Sequence, residues 1–156
     1  MSEKFTLFYS GPFSQWHPSK FTVDALEFDC AEQYMMYHKA ILFGDLTTAQ
    51  KIIRTKNDPR EVKRLGREVV GFREEIWNPM SWLIVREASI AKFTQNKELF
   101  AALTATKGTT LVECSPTDKI WGIGRGIKDP LALKRETWNG QNRLGEVLTQ
   151  VCNIIC

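Results

Sequence analysis

The chain has little of what would mark it for a metal, a membrane or an oxidising compartment. Its 156 residues include two histidines, His17 and His38, and four cysteines, Cys30, Cys114, Cys152 and Cys156. No two cysteines stand in C-x-x-C spacing and no histidine pair accompanies them. The common zinc-ligand patterns are therefore excluded, and neither a metal site nor a cofactor is expected. No run approaches the roughly 18 apolar residues of a membrane-spanning helix. The opening MSEKFTLFYS lacks the apolar stretch of a secretion signal. The expectation is a cytoplasmic protein with reduced thiols and no membrane contact. Excess charge is small as well: 21 Lys+Arg face 18 Asp+Glu, a formal net charge of +3. That is too mild to indicate a nucleic-acid surface by itself, yet compatible with a local basic pocket for a phosphorylated small molecule.

What is present is an ordinary globular composition, 43% hydrophobic and 25% charged. Repeats, low-complexity stretches and linkers are absent, so residues 1–156 read as a single domain. A domain of this length buries about 70% of its unfolded surface and needs no staple. Residues 5–9 read as extended, and 21–23 with 26–28 as a hairpin about Asp24-Ala25. Helical periods follow. Asp29 reads as the N-cap of a helix to about Phe43, with Gly44 as its stop; Asp45 starts a short helix. Asp58-Pro59 and Asn78-Pro79 open two more, the second running to about Thr94. Asn96 starts another, residues 110–114 suit a strand, 121–139 a glycine-broken loop, and Asn142 caps a last helix. The fold class is α+β, mainly helical, with a few short strands.

The segment CAEQYMMYHKA, residues 30–40, carries the most chemistry. Seven positions separate Glu32 from Lys39, two helical turns, so both side chains face one side. A carboxylate and an amine on one face can divide acid–base and nucleophilic work. The plainer alternative for Glu32 is a capping box with Asp29. For Lys39 it is a solvated surface lysine, and His38 is expected to pack rather than ligate. Trp77 could stack on a flat base, or act as a staple before the Asn78 cap. Trp16, Trp82, Trp121 and Trp138 compete for that role, with Trp82 expected in the core. Asp118 could be an acid or a turn residue. Gly122-Ile123-Gly124-Arg125-Gly126 could present N–H groups and a guanidinium to an anion, or simply turn tightly. Asn142-Arg143 at a helix start suits a phosphate, or an ordinary cap. Gly145 just beyond suggests close approach of another backbone.

Taken in order, these pieces resemble the NADAR (YbiA-like) family. The matching stretches are Phe8-Tyr9-Ser10, Ala31-Glu32-Gln33-Tyr34 leading to Lys39, Gly66-Arg67, Ile76-Trp77 and Lys92-Phe93. Leu111-Val112-Glu113, Asp118 with Trp121-Gly122, and Gly140-Gln141-Asn142-Arg143-Leu144-Gly145 complete the set. The resemblance implies a compact, mostly helical YbiA-like fold and hydrolysis of a ribosyl C–N bond. It implies two substrate classes: phosphorylated ribosylaminopyrimidine intermediates of riboflavin synthesis, or ADP-ribosylated guanine in nucleic acid. By motif position it places Glu32, Trp77 and Asp118 where the family's catalytic residues lie, and Lys39 where some members use a Schiff-base lysine, so Glu32, Lys39 and Asp118 are the expected catalytic groups. Trp77, Trp121, Gly122, Arg125, Asn142 and Arg143 are the expected substrate contacts. A non-catalytic module binding ADP-ribose or NAD is the alternative function.

Overall fold

The structure, a computed structural model, describes residues 2–156. In chain order it has β1 (Phe5–Phe8), β2 (Phe21–Val23), β3 (Leu26–Phe28), α1 (Ala31–Leu42), α2 (Leu46–Arg54) and α3 (Pro59–Gly66). Then come α4 (Glu74–Gln95), α5 (Lys97–Thr104), β4 (Thr110–Glu113) and α6 (Arg143–Ile155). This is the mainly helical α+β class that the sequence predicts. The chain falls into two compact units, Gln15–Lys97, and Met1–Ser14 together with Glu98–Cys156.

In the unit Gln15–Lys97, β2 and β3 pair antiparallel, with Phe21 opposite Phe28. Asp24 and Ala25 both adopt left-handed backbone, φ 50 and 66. That is the turn whose twist matches a two-residue hairpin. Helix α1 packs against α2, α3 and α4. It stops at Gly44, φ +73, as the sequence predicts. Gly66 lets α3 lie directly on Met36; a Cβ there would run into the methionine sulfur. The α2 and α3 caps are as read: Asp45 accepts from the Thr48 N–H at 3.0 Å and Asp58 from the Glu61 N–H at 3.1 Å.

Two helix starts differ from expectation. The N-cap of α1 is Cys30, without a side-chain cap bond. The Asp29 carboxylate instead takes the Asn57 N–H at 2.8 Å, and the Gln33 side chain takes the Asp29 N–H at 2.7 Å. Asp29 is therefore not a cap, and Glu32 is not its capping-box partner. Helix α4 starts at Glu74, not at Asn78, and Pro79 lies inside it. Two acidic residues, Glu74 and Glu75, favour that earlier first turn. Trp77 thus sits within the helix rather than ahead of it, which removes the staple reading. Trp82 is half-buried rather than core.

In the other unit, β1 and β4 pair in parallel, Phe5 with Thr110 through Phe8 with Glu113. Helix α6 packs on β4, held by Asn142. Its amide oxygen accepts the Glu113 N–H at 2.9 Å and its amide nitrogen donates to the Leu111 carbonyl at 3.0 Å. Gly145 comes so close to the Leu111 carbonyl that no Cβ would fit, which meets the expectation for that glycine. Val112, Cys114, Ile123 and Ala132 form the core here, flanked by Phe5, Leu7 and Trp138. The 121–139 loop contains two 3-10 turns, Pro130–Leu133 and Arg135–Thr137.

Candidate active site

Helix α1 brings Glu32, Met36 and Lys39 onto one face. Glu32 is 8% exposed, and its N–H donates to the Gln15 carbonyl at 3.0 Å. In the last turn of the helix, Lys39 is half-buried. Its Nζ lies 4.7 Å from the centre of the Phe72 ring and 5.7 Å from the centre of the Trp77 ring. The Trp77 indole, carried by the first turns of α4, therefore joins Glu32 and Lys39 in one place within the unit Gln15–Lys97. The solvated-surface reading of Lys39 does not hold.

Electrostatics at Lys39 pull two ways. Burial pushes its pKa below the ordinary lysine range, the Glu32 carboxylate pulls it back up, and the Arg67 guanidinium pushes it down again. The two ring faces also favour the ammonium. An amine needs such depression to act as a nucleophile near neutrality. Arg67 follows directly on α3, so the Gly66–Met36 packing that seats α3 also sets its distance from Lys39. His38 packs as expected: its ring centre is 4.3 Å from that of Tyr34, and burial lowers its pKa.

The remaining predicted residues lie in the other unit. Asp118 is a turn builder, its Oδ1 accepting the N–H groups of Ile120 and Trp121 at 2.9 Å each. Gly122 is buried where a Cβ would crowd the Asp118 and Glu113 carbonyls, so its role is close packing of the loop. Arg143 is 8% exposed, donates from Nε to Gln141 at 2.8 Å, and places its guanidinium 5.9 Å from the Trp121 ring centre. Arg143 and Trp121 thus form a paired cation and indole at the start of α6.

Two of the expected substrate contacts also carry bonds within the fold. Asn142 is 0% exposed, with its amide spent on β4, and its left-handed backbone, φ 53, leaves it no side-chain cap bond. Its side chain locks strand to helix. Arg125 donates from Nε to the Thr137 carbonyl at 2.6 Å and from Nη1 to Asp129 at 3.2 Å. It ties the 121–139 loop together. Trp138 is also structural, its indole N–H on the Ala132 carbonyl at 2.8 Å.

Sequence reasoning missed Phe72 as a partner of Lys39 and gave Arg67 no role. The only signal for Phe72 was an aromatic residue after a glycine, between two helices. Among the described residues no group of three or more His, Cys, Asp or Glu side chains could hold a metal ion, and no helix is long and apolar enough to cross a membrane.

The family profile of the NADAR domain matches residues 6–155. Protein irg-1 of Caenorhabditis elegans is 39% identical to this chain, over 94% of the chain and 77% of that relative. An N-glycosidase of Acanthamoeba polyphaga mimivirus is 41% identical, over 89% of the chain and 84% of its own length. The solution NMR structure of Escherichia coli YbiA superposes with a TM-score of 0.80 at 29% identity, covering 99% of this chain and 86% of that one. With a profile match over nearly its whole length, the chain belongs to the NADAR domain family.

Proposed function

We infer that the protein is an N-glycosidase that hydrolyses a ribosyl C–N bond, and we treat the chain as one NADAR domain. The observation that carries this reading is the convergence of Glu32, Lys39 and Trp77: a buried carboxylate, an amine with a lowered pKa and an indole. The N-glycosidase named in the comparison above supports it from outside the chain. Its substrate is a phosphorylated ribosylaminopyrimidine of riboflavin synthesis or an ADP-ribosylated guanine, either free or in nucleic acid. Four free thiols, three of them buried, suit a cytoplasmic setting.

Breaking the bond builds positive charge on the ribose as the base leaves with the bonding pair. Glu32 is assigned the stabilisation of that charge and the handling of a proton. Trp77 stacks the base, an interaction worth about 1–3 kcal/mol per base in single-strand binders. Lys39 takes one of two roles. As a neutral amine it displaces the base at the anomeric carbon; the ribose ring then opens at the C1′–O4′ bond, O4′ taking a proton, to give an imine that water hydrolyses. As an ammonium it binds the substrate's phosphate. Asp118 builds the turn that carries Trp121, so Glu32 is the stronger of the two acids for direct chemistry. With Arg125 and Asn142 spent on the fold, Arg143 beside Trp121 is the phosphate-binding assignment in its unit.

The test is release of free base from the two substrate classes, offered separately to the purified protein. Turnover of either supports the reading. Tight binding of both with no base released would favour a binding module instead.

A further inference from the structure

The segment between α3 and α4, residues 67–73, is pinned at several points. Val69 is buried, and the Val70 N–H donates to the Asp45 carboxylate at 2.9 Å. Gly71 turns the chain at φ +84, beside the Phe43 carbonyl. Phe72 follows, its ring edge-on to Phe43 with centres 5.5 Å apart. Although 43% exposed, Phe72 is therefore aimed: Phe43, at the end of α1, braces its ring over the Lys39 amine. Of the two rings near that amine, Phe72 is the closer.

A lysine side chain has a long flexible stem, and an unrestrained one spreads over many rotamers. A ring face within about 6 Å attracts its ammonium. We propose that Phe72 is a positioning residue for Lys39, clamping its ammonium against Trp77 before substrate binds. Lys39 is then freed when a substrate's base occupies the Trp77 face. The groups facing the amine are Glu32 from its own helix, Arg67 from the end of α3, Phe72 from the segment and Trp77 from α4. Burial and Arg67 together lower the Lys39 pKa, while the two rings and Glu32 favour the charged form, so removing one ring face should lower it further. The consequence for turnover rests on the N-glycosidase reading, whereas the hold on the ammonium can be measured without substrate.

The experiment is a pH titration of Lys39 by NMR of the full chain carrying carbon-13 lysine, with Lys39→Arg to assign the signal. Phe72→Leu keeps apolar cover but removes the ring face. The expected result is a fall in the Lys39 midpoint of about half to one pH unit. Phe72→Trp, with a stronger ring face, should hold or raise it. An unchanged or higher midpoint in Phe72→Leu, with the other signals in place, overturns the proposal. Should Phe72→Leu fold poorly, a lower midpoint in Phe72→Trp overturns it equally. The acid limb of the pH–rate profile should move with the midpoint. A shifted midpoint in a protein that releases no base would leave the clamp standing and remove the glycosidase reading.

Discussion

Glu32→Gln separates catalysis from capping with one change of charge. The α1 start does not use the Glu32 carboxylate as a cap. Cys30 is the N-cap, and Gln33 does the local bonding. It accepts from the Asp29 N–H at 2.7 Å and donates to the Ile52 and Thr55 carbonyls at 3.1 and 2.8 Å. One contribution of the glutamate charge to the helix is its interaction with the N-terminal dipole, about 0.3–1 kcal/mol. For a chain of this size that is a loss of roughly 1–4 °C in Tm. The effect on activity should be far larger, about 10²–10⁴-fold, the usual contribution of a positioned acid or base. Lys39 makes the test sharper. Glu32 raises the pKa of Lys39, so Gln lowers it further and increases the neutral amine near neutrality. Were Lys39 sufficient alone, Glu32→Gln would be faster than the parent. The assay combines far-UV circular dichroism, a thermal melt and base release. A Tm loss beyond about 10 °C with the remaining folded protein fully active would refute the reasoning.

Other predictions follow from the same geometry. Trp77→Ala should raise KM by about 5- to 100-fold, the stacking energy expressed as binding, and Trp77→Phe should recover part of it in steady-state kinetics. Asn142→Ala removes one buried and one part-buried bond that tie α6 to β4 and should cost about 2–4 kcal/mol in chemical denaturation. Gly145→Ala should cost at least about 2 kcal/mol in the same assay, because its Cβ would meet the Leu111 carbonyl. Burial pushes the Cys30 and Cys152 thiols up to about 11 and raises Cys114 as well. A thiol reagent at pH 8 should therefore modify Cys156 quickly and the three buried thiols only on unfolding. For Lys39 the sign is fixed by its lowered pKa: raising the pH through the folded value increases the neutral amine. Borohydride trapping of an imine on Lys39 should therefore grow with pH, and full turnover without any trapped adduct would leave Lys39 the phosphate role.

Local chemistry was legible in the sequence and long-range pairing was not. Asp45 and Asp58 cap because a short carboxylate before a helix has a ready N–H partner, and Gly44 stops α1 because it can turn left-handed. The Glu32–Lys39 face follows from helical spacing alone. Asn78-Pro79 misled because proline suits a first turn, yet the helix began five residues before Pro79 and absorbed it. Asn142 read as a cap, and only the parallel β1–β4 ladder reveals why it is needed as a clamp. No periodicity links Phe5 to Thr110 across a hundred residues. Phe72 was invisible because its role depends on where Gly71, Asp45 and Phe43 send the chain.

The central claim is that water cleaves a ribosyl C–N bond at this site. Running the reaction in oxygen-18 water and weighing both products tests it most directly. The account predicts free base without label and a sugar product carrying label at its anomeric oxygen. Intact ligand recovered after prolonged incubation with folded protein, for both substrate classes, would contradict it.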